Sequence, residues 1–235
     1  MNCRIINVNP NTPQEFIGEF GHSVDESGNK IRYSLRRDRI ERFMNDEIEG
    51  YSISIFDAVT PKDFEIEGDK VTIGESSYRI EEKSIFYIAN TLSHISIWNM
   101  DEDTLVLEDD AIFDESVFSS LRDAISDFKE NSTRKDILYL QISTPWLADA
   151  DTKRISHLEK VSEKISVADM DFSGTAAYFI TREAKKNIMN FINSGFPLFA
   201  CDKLLDVMRK NGLLRYVVPF DSGSMFSLDK ETHWN

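Results

Sequence analysis

The sequence predicts a single α/β domain with a mostly parallel sheet flanked by helices. Three observations lead there. Short branched apolar runs, such as Leu105-Val106-Leu107, read as strands covered on both faces. Segments between them carry apolar residues at helical spacing, most plainly Val117, Phe118, Leu121, Ala124, Ile125 and Phe128. The chain has 235 residues, 41% of them hydrophobic, which suits one domain with a sizeable core.

The elements follow in chain order. CRIINVN (3–9) reads as a first strand and runs into the turn cluster NPNTP. Residues 14–30 are polar and glycine-bearing, a loop or insertion spanning about 9–33. Ser34 can cap a helix over 36–45, with Ile40, Phe43 and Met44 on one face. YSISIFDAV is a β-rich strand ending at Asp57. FEIEGDKVTI predicts a hairpin turning at Gly68-Asp69. SIFYIANTLSHISIW (84–98) is an apolar helix, and LVLEDD the next strand. Asp114 can cap the helix that follows. DILYLQIS (136–143) and GTAAYFI (174–180) are further strands. Thr181 can cap REAKKNIMNFIN, which should stop at Gly195. CDKLLDVMRKNG is a short helix and LRYVVPF a late strand. Strands alternating with helices argue for α/β layers.

Charge narrows the function. The net charge is −14, so the surface repels DNA and RNA unless a local basic patch overrides it. The one concentrated patch is YSLRRDRIERF, with Arg32, Arg36, Arg37, Arg39 and Arg42. The two cysteines, Cys3 and Cys201, lack neighbours at metal-ligand spacing, which suits free thiols in a reducing compartment. Met1 is followed by Asn2, Cys3 and Arg4 with no apolar stretch, and no run reaches the roughly 20 apolar residues of a membrane span. The expectation is a cytoplasmic protein.

The densest chemistry lies in LVLEDDAIF (105–113). Three consecutive carboxylates follow a buried strand, and burying them uncompensated is costly. In open α/β sheets ligands gather at the carboxyl ends of strands. Alternation would place Glu108 and Asp110 on one side and Asp109 on another. Two carboxylates together make a hard oxygen site for Mg²⁺ or Mn²⁺, which commonly bridges phosphates. An acidic helix N-terminus or solvated turn would explain the same residues, since Asp114 and Glu115 follow.

LSHISIW (92–98), LVLEDDA, GTAAYFITREA and CDKLL, in this order, resemble glycosyltransferase family 25, from about Ser34 to Pro219. That resemblance implies a GT-A-like (Rossmann-like) fold and a transferase that moves a hexose, with galactose the leading candidate, from a nucleoside diphosphate sugar to an acceptor hydroxyl of a glycan. A UDP-sugar donor and a divalent cation, Mn²⁺ or Mg²⁺, are implied with it, as is inversion at the anomeric carbon. Carried over residue by residue, Asp110 and then Glu108 become metal ligands. Asp109 orients donor hydroxyls, and Ser93 and His94 fall on a Ser-His pair facing phosphate or hydroxyl. Arg36 and Arg37 match basic residues that can grip diphosphate, and Asp57 matches a strand end near the base. Thr175 and Tyr178 lie toward the acceptor side, where Tyr178 reads more readily as core. Asp202 matches a late acidic position suited to a general base, and equally to a helix cap. The chain departs from the family in the polar stretch between CRIINVN and SLRRDRIERF. It departs again in EEKSIFYIAN, which replaces a glycine-rich segment.

Two other readings stand beside this one. A non-catalytic sugar- or nucleotide-binding module would keep the fold and bind without consuming donor. A viral-type glycosyltransferase acting on hydroxylated DNA bases would need the arginine cluster as a groove.

Overall fold

The structure is a computed structural model; it describes residues 1–9, 11–12, 40–41, 44, 48–111, 115–140, 155–170 and 174–219. Fifteen named elements follow one another. Strands β1 (Asn2–Asn7), β2 (Ser52–Asp57), β3 (Glu65–Glu67), β4 (Lys70–Ile73) and β5 (Ser76–Arg79) come first. Helix α1 (Ile85–Trp98), strand β6 (Thr104–Glu108), helix α2 (Glu115–Asn131) and strand β7 (Asp136–Tyr139) succeed them. Strands β8 (Ile155–Lys160), β9 (Ile165–Met170) and β10 (Ala177–Ile180), helices α3 (Arg182–Asn193) and α4 (Cys201–Lys210), and strand β11 (Arg215–Pro219) complete the set.

Eight strands form one sheet in the order β2-β1-β6-β10-β7-β11-β9-β8. β2, β1 and β6 are parallel neighbours, as are β7 and β11. β10 runs antiparallel to both β6 and β7, and β9 antiparallel to β11 and β8. Six strands therefore share one direction, and β10 and β9 oppose it. The reversal of β10 brings the start of that strand beside the carboxyl end of β6.

Register explains the two-sided core. Ile53, Cys3, Leu105, Phe179, Leu138, Val217 and Val167 form one row across seven strands. That row packs against α2 through Phe118, Leu121, Ile125 and Phe128. The next row, including Val106, Tyr178 and Tyr139, faces the opposite layer of α1, α3 and α4. Because strand side chains alternate, Glu108 lies on the same face as Val106, toward α1. β3, β4 and β5 form a separate three-stranded sheet, with Val71 and Tyr78 buried against the α1 layer.

Local signals act as their chemistry dictates. Thr181 accepts a hydrogen bond from Ala184 N and caps α3, which ends before Gly195 at φ +94°. Glu67 pairs with Lys70 across a two-residue turn in which Gly68 takes a positive φ of 60°. Ile40, Glu41 and Met44 are helical. The rest of the segment 36–45, the polar stretch 14–30 and the Asp114 cap lie outside the described residues. Both cysteines are free and buried.

Candidate functional site

The carboxyl edge of the sheet assembles the site. β6 ends at Glu108, and the chain turns at once: Ala111 N donates to Glu108 O at 3.1 Å. This turn, rather than strand alternation, sets where Asp109 and Asp110 point. Both aspartates are 7% exposed.

Glu108 is the most heavily supported side chain there. Its Oε1 accepts from Thr175 Oγ1 at 2.7 Å, from His94 Nε2 at 3.0 Å and from Asn90 Nδ2 at 3.3 Å. Thr175 stands just before the reversed strand β10, while His94 and Asn90 are one turn apart on α1. Burial pushes the Glu108 carboxyl up, yet His94, through its hydrogen bond and its charge, together with the hydrogen bonds from Thr175 and Asn90, outweighs it and holds the group below its ordinary range. All three donors converge on Oε1; Oε2 accepts none among the described residues. The side chain remains 21% exposed.

The neighbouring residues extend this edge. Asn7, at the end of β1, donates from Nδ2 to Asp109 Oδ2 at 2.8 Å. Asn7 is also the register partner of Asp57, whose carboxylate accepts from Asn9 Nδ2 at 3.3 Å. Asp57, Asn7 and Asp109 thus follow one another across the ends of three neighbouring strands, Asp109 in the turn after β6, with Asp57 exposed at the outer end.

Ser93 and His94 are both fully buried. Ser93 Oγ donates to Ala89 O and accepts from Val59 N, each at 2.9 Å, pinning the loop after β2 to α1. His94 lies between Tyr178 and Glu108. Asp202 occupies the first turn of α4, half-buried, and accepts from Lys203 N at 2.7 Å. Its charge and that of Glu108 act on the same two buried groups. Burial, with those charges, pushes the Tyr139 hydroxyl and the Cys201 thiol well up. Glu108, Thr175, Cys201 and Asp202 therefore share one neighbourhood. Arg36 and Arg37 lie outside the described residues.

A family profile described as glycosyltransferase family 25 (LPS biosynthesis protein) matches residues 31–205, about three quarters of the 235-residue chain. The chain belongs to glycosyltransferase family 25. It is accordingly a glycosyltransferase that acts on nucleoside diphosphate sugars, and its sheet and flanking helices form a GT-A-like fold. Among solved structures, the chain is similar to a glucose-1-phosphate thymidylyltransferase from Bacillus anthracis in complex with a sucrose. Identity there is 10% and the TM-score 0.37, over 97% of this chain and 89% of that one, a likeness too distant to bear on function. A search of curated proteins finds no match.

Among the described residues, no cluster of three or more His, Cys, Asp and Glu side chains is arranged to hold a metal by itself. The donor set of this family 25 member suits a different kind of site. Mg²⁺ and Mn²⁺ bind through one or two carboxylates and complete their shell with water and substrate phosphates. Glu108 Oε2 and the Asp110 carboxylate are hard oxygen donors of that type. No helix among the described residues is long and apolar enough to cross a membrane.

Sequence reasoning missed Asn90 and Asn7. Asparagine at a strand end or on an apolar helix is compatible with any turn or surface; the β1–β6 pairing reveals what Asn7 holds, and the packing of α1 on the sheet what Asn90 holds.

Proposed function

We propose that this family 25 enzyme transfers a hexose, with galactose the leading candidate, from a UDP-sugar to a hydroxyl of a glycan acceptor, with Mn²⁺ or Mg²⁺ at the tip of β6. The observation carrying this reading is the Glu108 carboxylate. Polar side chains from α1 and the start of β10 orient it through a single oxygen, and no Lys or Arg forms an ion pair with it among the described residues. A carboxylate held through one oxygen, with no Lys or Arg against it among the described residues, leaves its other oxygen for a cation that arrives with the diphosphate.

In this reading Asp110 and Glu108 hold the cation. When bound, the cation neutralises charge developing on the departing diphosphate. Asp109, fixed by Asn7, orients donor hydroxyls, and Asp57 marks the nucleotide side of the same edge. Ser93 supports that side by holding the loop after β2, and His94 supports the opposite side by holding Glu108. Arg36 and Arg37 supply guanidinium groups to the diphosphate. Asp202 takes the proton from the acceptor hydroxyl as its oxygen bonds to the anomeric carbon and the bond to diphosphate oxygen breaks.

The test is nucleotide release from a panel of nucleotide sugars, with and without Mn²⁺, for the wild type and for Asp110→Ala. Release from one donor, stimulated by Mn²⁺ and abolished in a folded Asp110→Ala protein, is expected. Equal release with and without the ion in both proteins would remove the metal assignment.

A further inference from the structure

Three polar side chains behind Glu108 are buried where apolar ones would pack as well. Trp98 is 2% exposed, and His94 and Tyr178 are both fully buried. Trp98 Nε1 donates to the Tyr178 hydroxyl at 2.9 Å. His94 Nδ1 meets the same hydroxyl at 2.8 Å, and His94 Nε2 meets Glu108 Oε1 at 3.0 Å. The rings lie close, with the imidazole centroid 6.0 Å from Trp98 and 5.7 Å from Tyr178. Trp98 and Tyr178 belong to the same core cluster as Ile95, Ile180 and Ile188.

We propose that Trp98, Tyr178 and His94 form a buried hydrogen-bond relay that sets which oxygen of Glu108 faces the donor diphosphate. Tyr178 and His94 are thereby positioning residues for transfer.

Counting hydrogens gives the relay one direction. An indole N–H only donates, so the Tyr178 oxygen accepts from Trp98. The remaining hydroxyl hydrogen has one nearby acceptor, His94 Nδ1. The imidazole then carries its hydrogen on Nε2 and donates it to Glu108 Oε1. Apart from Glu108 Oε2, every polar side-chain atom in the chain of four residues is satisfied by this single arrangement, whereas reversing any link strands a donor or an acceptor in the core. Thr175 and Asn90 reinforce the choice, since both also donate to Oε1. Oε2 is left for the ligand. Support of this kind behind a ligating carboxylate commonly governs ion affinity by 10–100-fold.

The proposal deepens the metal-dependent reading above, and its test separates the two. Tyr178→Phe keeps the ring and removes only the hydroxyl. Expected are a kcat about 10–100-fold lower, a donor KM within about threefold, and a similar weakening of Mn²⁺ binding in the presence of UDP, followed by the electron paramagnetic resonance signal of free Mn²⁺. His94→Gln, whose amide can still donate toward Glu108, should stay within about tenfold of wild type, while His94→Leu should match Tyr178→Phe. That pair serves equally if Tyr178→Phe does not fold. Nitrogen-15 spectra of the imidazoles in the wild type should show His94 protonated on Nε2.

A folded Tyr178→Phe protein with wild-type kcat and Mn²⁺ binding would overturn the relay, as would a His94 hydrogen on Nδ1. If wild-type turnover ignores Mn²⁺, the metal reading fails instead. The relay is then decided by the imidazole spectrum and by whether kcat still falls in Tyr178→Phe.

Discussion

Strand β6 has three consecutive carboxylates at each end, and the fold treats the two sets differently. Asp101, Glu102 and Asp103 precede it; Glu108, Asp109 and Asp110 close it. At the first end the compensation is cationic. Arg4 meets Glu102 at 2.8 Å, Lys129 meets Asp103 at 2.6 Å and Arg182 approaches Asp101 at 3.6 Å. Asp103 also accepts from Arg182 N, at the start of α3. Its carboxyl is held below the ordinary range because Lys129 and that N–H outweigh burial. At the other end Glu108 is likewise held down, but by His94 first and then by Thr175 and Asn90. Lysine and arginine meet the first carboxylates as ion pairs, whereas an imidazole, a hydroxyl and an amide orient Glu108 through one oxygen. Two sequence patterns that look alike thus meet different partners; under the proposed function the second set is the one directed at a ligand.

The sharpest way to break this contrast is to neutralise one aspartate at each end. Asp110→Asn should lower donor turnover by about a thousandfold, since a metal-held charge supplies several kcal/mol at the transition state. Its thermal midpoint should stay near that of the wild type. Asp103→Asn should do the reverse, keeping turnover within about threefold while losing about 1 kcal/mol of stability with its Lys129 pair. Nucleotide release and urea unfolding of both variants provide the comparison. Equal turnover losses at the two ends would erase the distinction.

Lys185 offers a second test, confined to the cationic end. It is 1% exposed on α3, and its Nζ donates to Thr104 Oγ1 at 2.7 Å. Burial lowers its pKa from 10.5 to about 8, against the opposing pull of Glu102, Asp103 and Asp101. Below pH 8 both folded and unfolded chains carry the charge, and the full cost of burying it applies. Between about 8 and 10.5 the folded chain has released the proton and the unfolded chain has not, so stability rises with pH across that window. Lys185→Met should gain about 1–2 kcal/mol at pH 7, offset in part by the lost hydrogen bond to Thr104. Its advantage should shrink by pH 9.5. A difference in urea midpoints that stays constant from pH 7 to 9.5 would show that the buried charge does not govern stability there.

The same contrast explains what the sequence discloses. Strongly periodic or continuously apolar segments were legible: β1, β2, β6, β7, β10, β11 and helices α1 to α4 fall where their patterns put them. β5 was not, because Ser76-Ser77-Tyr78-Arg79 buries only Tyr78. β8 and β9 were passed over because a bulge between His157 and Glu159 breaks alternation, and charged residues crowd the turn between them. The direction of β10 has no signature in Ala177–Ile180 itself; it follows from where the chain arrives. The acidic tip of β6 was legible as a residue cluster, and its partners were not. Asn7 lies 102 residues from Asp109, and Thr175 lies 67 from Glu108, so both contacts exist only through sheet order. Whether a carboxylate meets lysine and arginine or a set of orienting polar side chains is a property of those long-range partners, which is why two similar acidic triplets could not be ranked by composition.

The smallest expected effect measures the cationic end directly. Arg4 donates to Glu102 Oε1 through Nε at 3.1 Å and Nη2 at 2.8 Å, and to Ser54 Oγ through Nη1. The two side chains are 28% and 27% exposed, so solvent screens the pair only partly. A double-mutant cycle with Arg4→Met and Glu102→Gln should return a coupling of about 0.5–1 kcal/mol in unfolding free energy, reduced at high salt. The same cycle with Glu108→Gln and Thr175→Val should give a hydrogen-bond coupling of similar size that salt barely changes. That second coupling should reappear in Mn²⁺ affinity, where the Arg4–Glu102 cycle returns nothing. If salt weakens both couplings alike, the oxygen that Thr175 orients is screened by mobile ions, and the tip of β6 is no more prepared for a cation than the end of the strand where Arg4 sits.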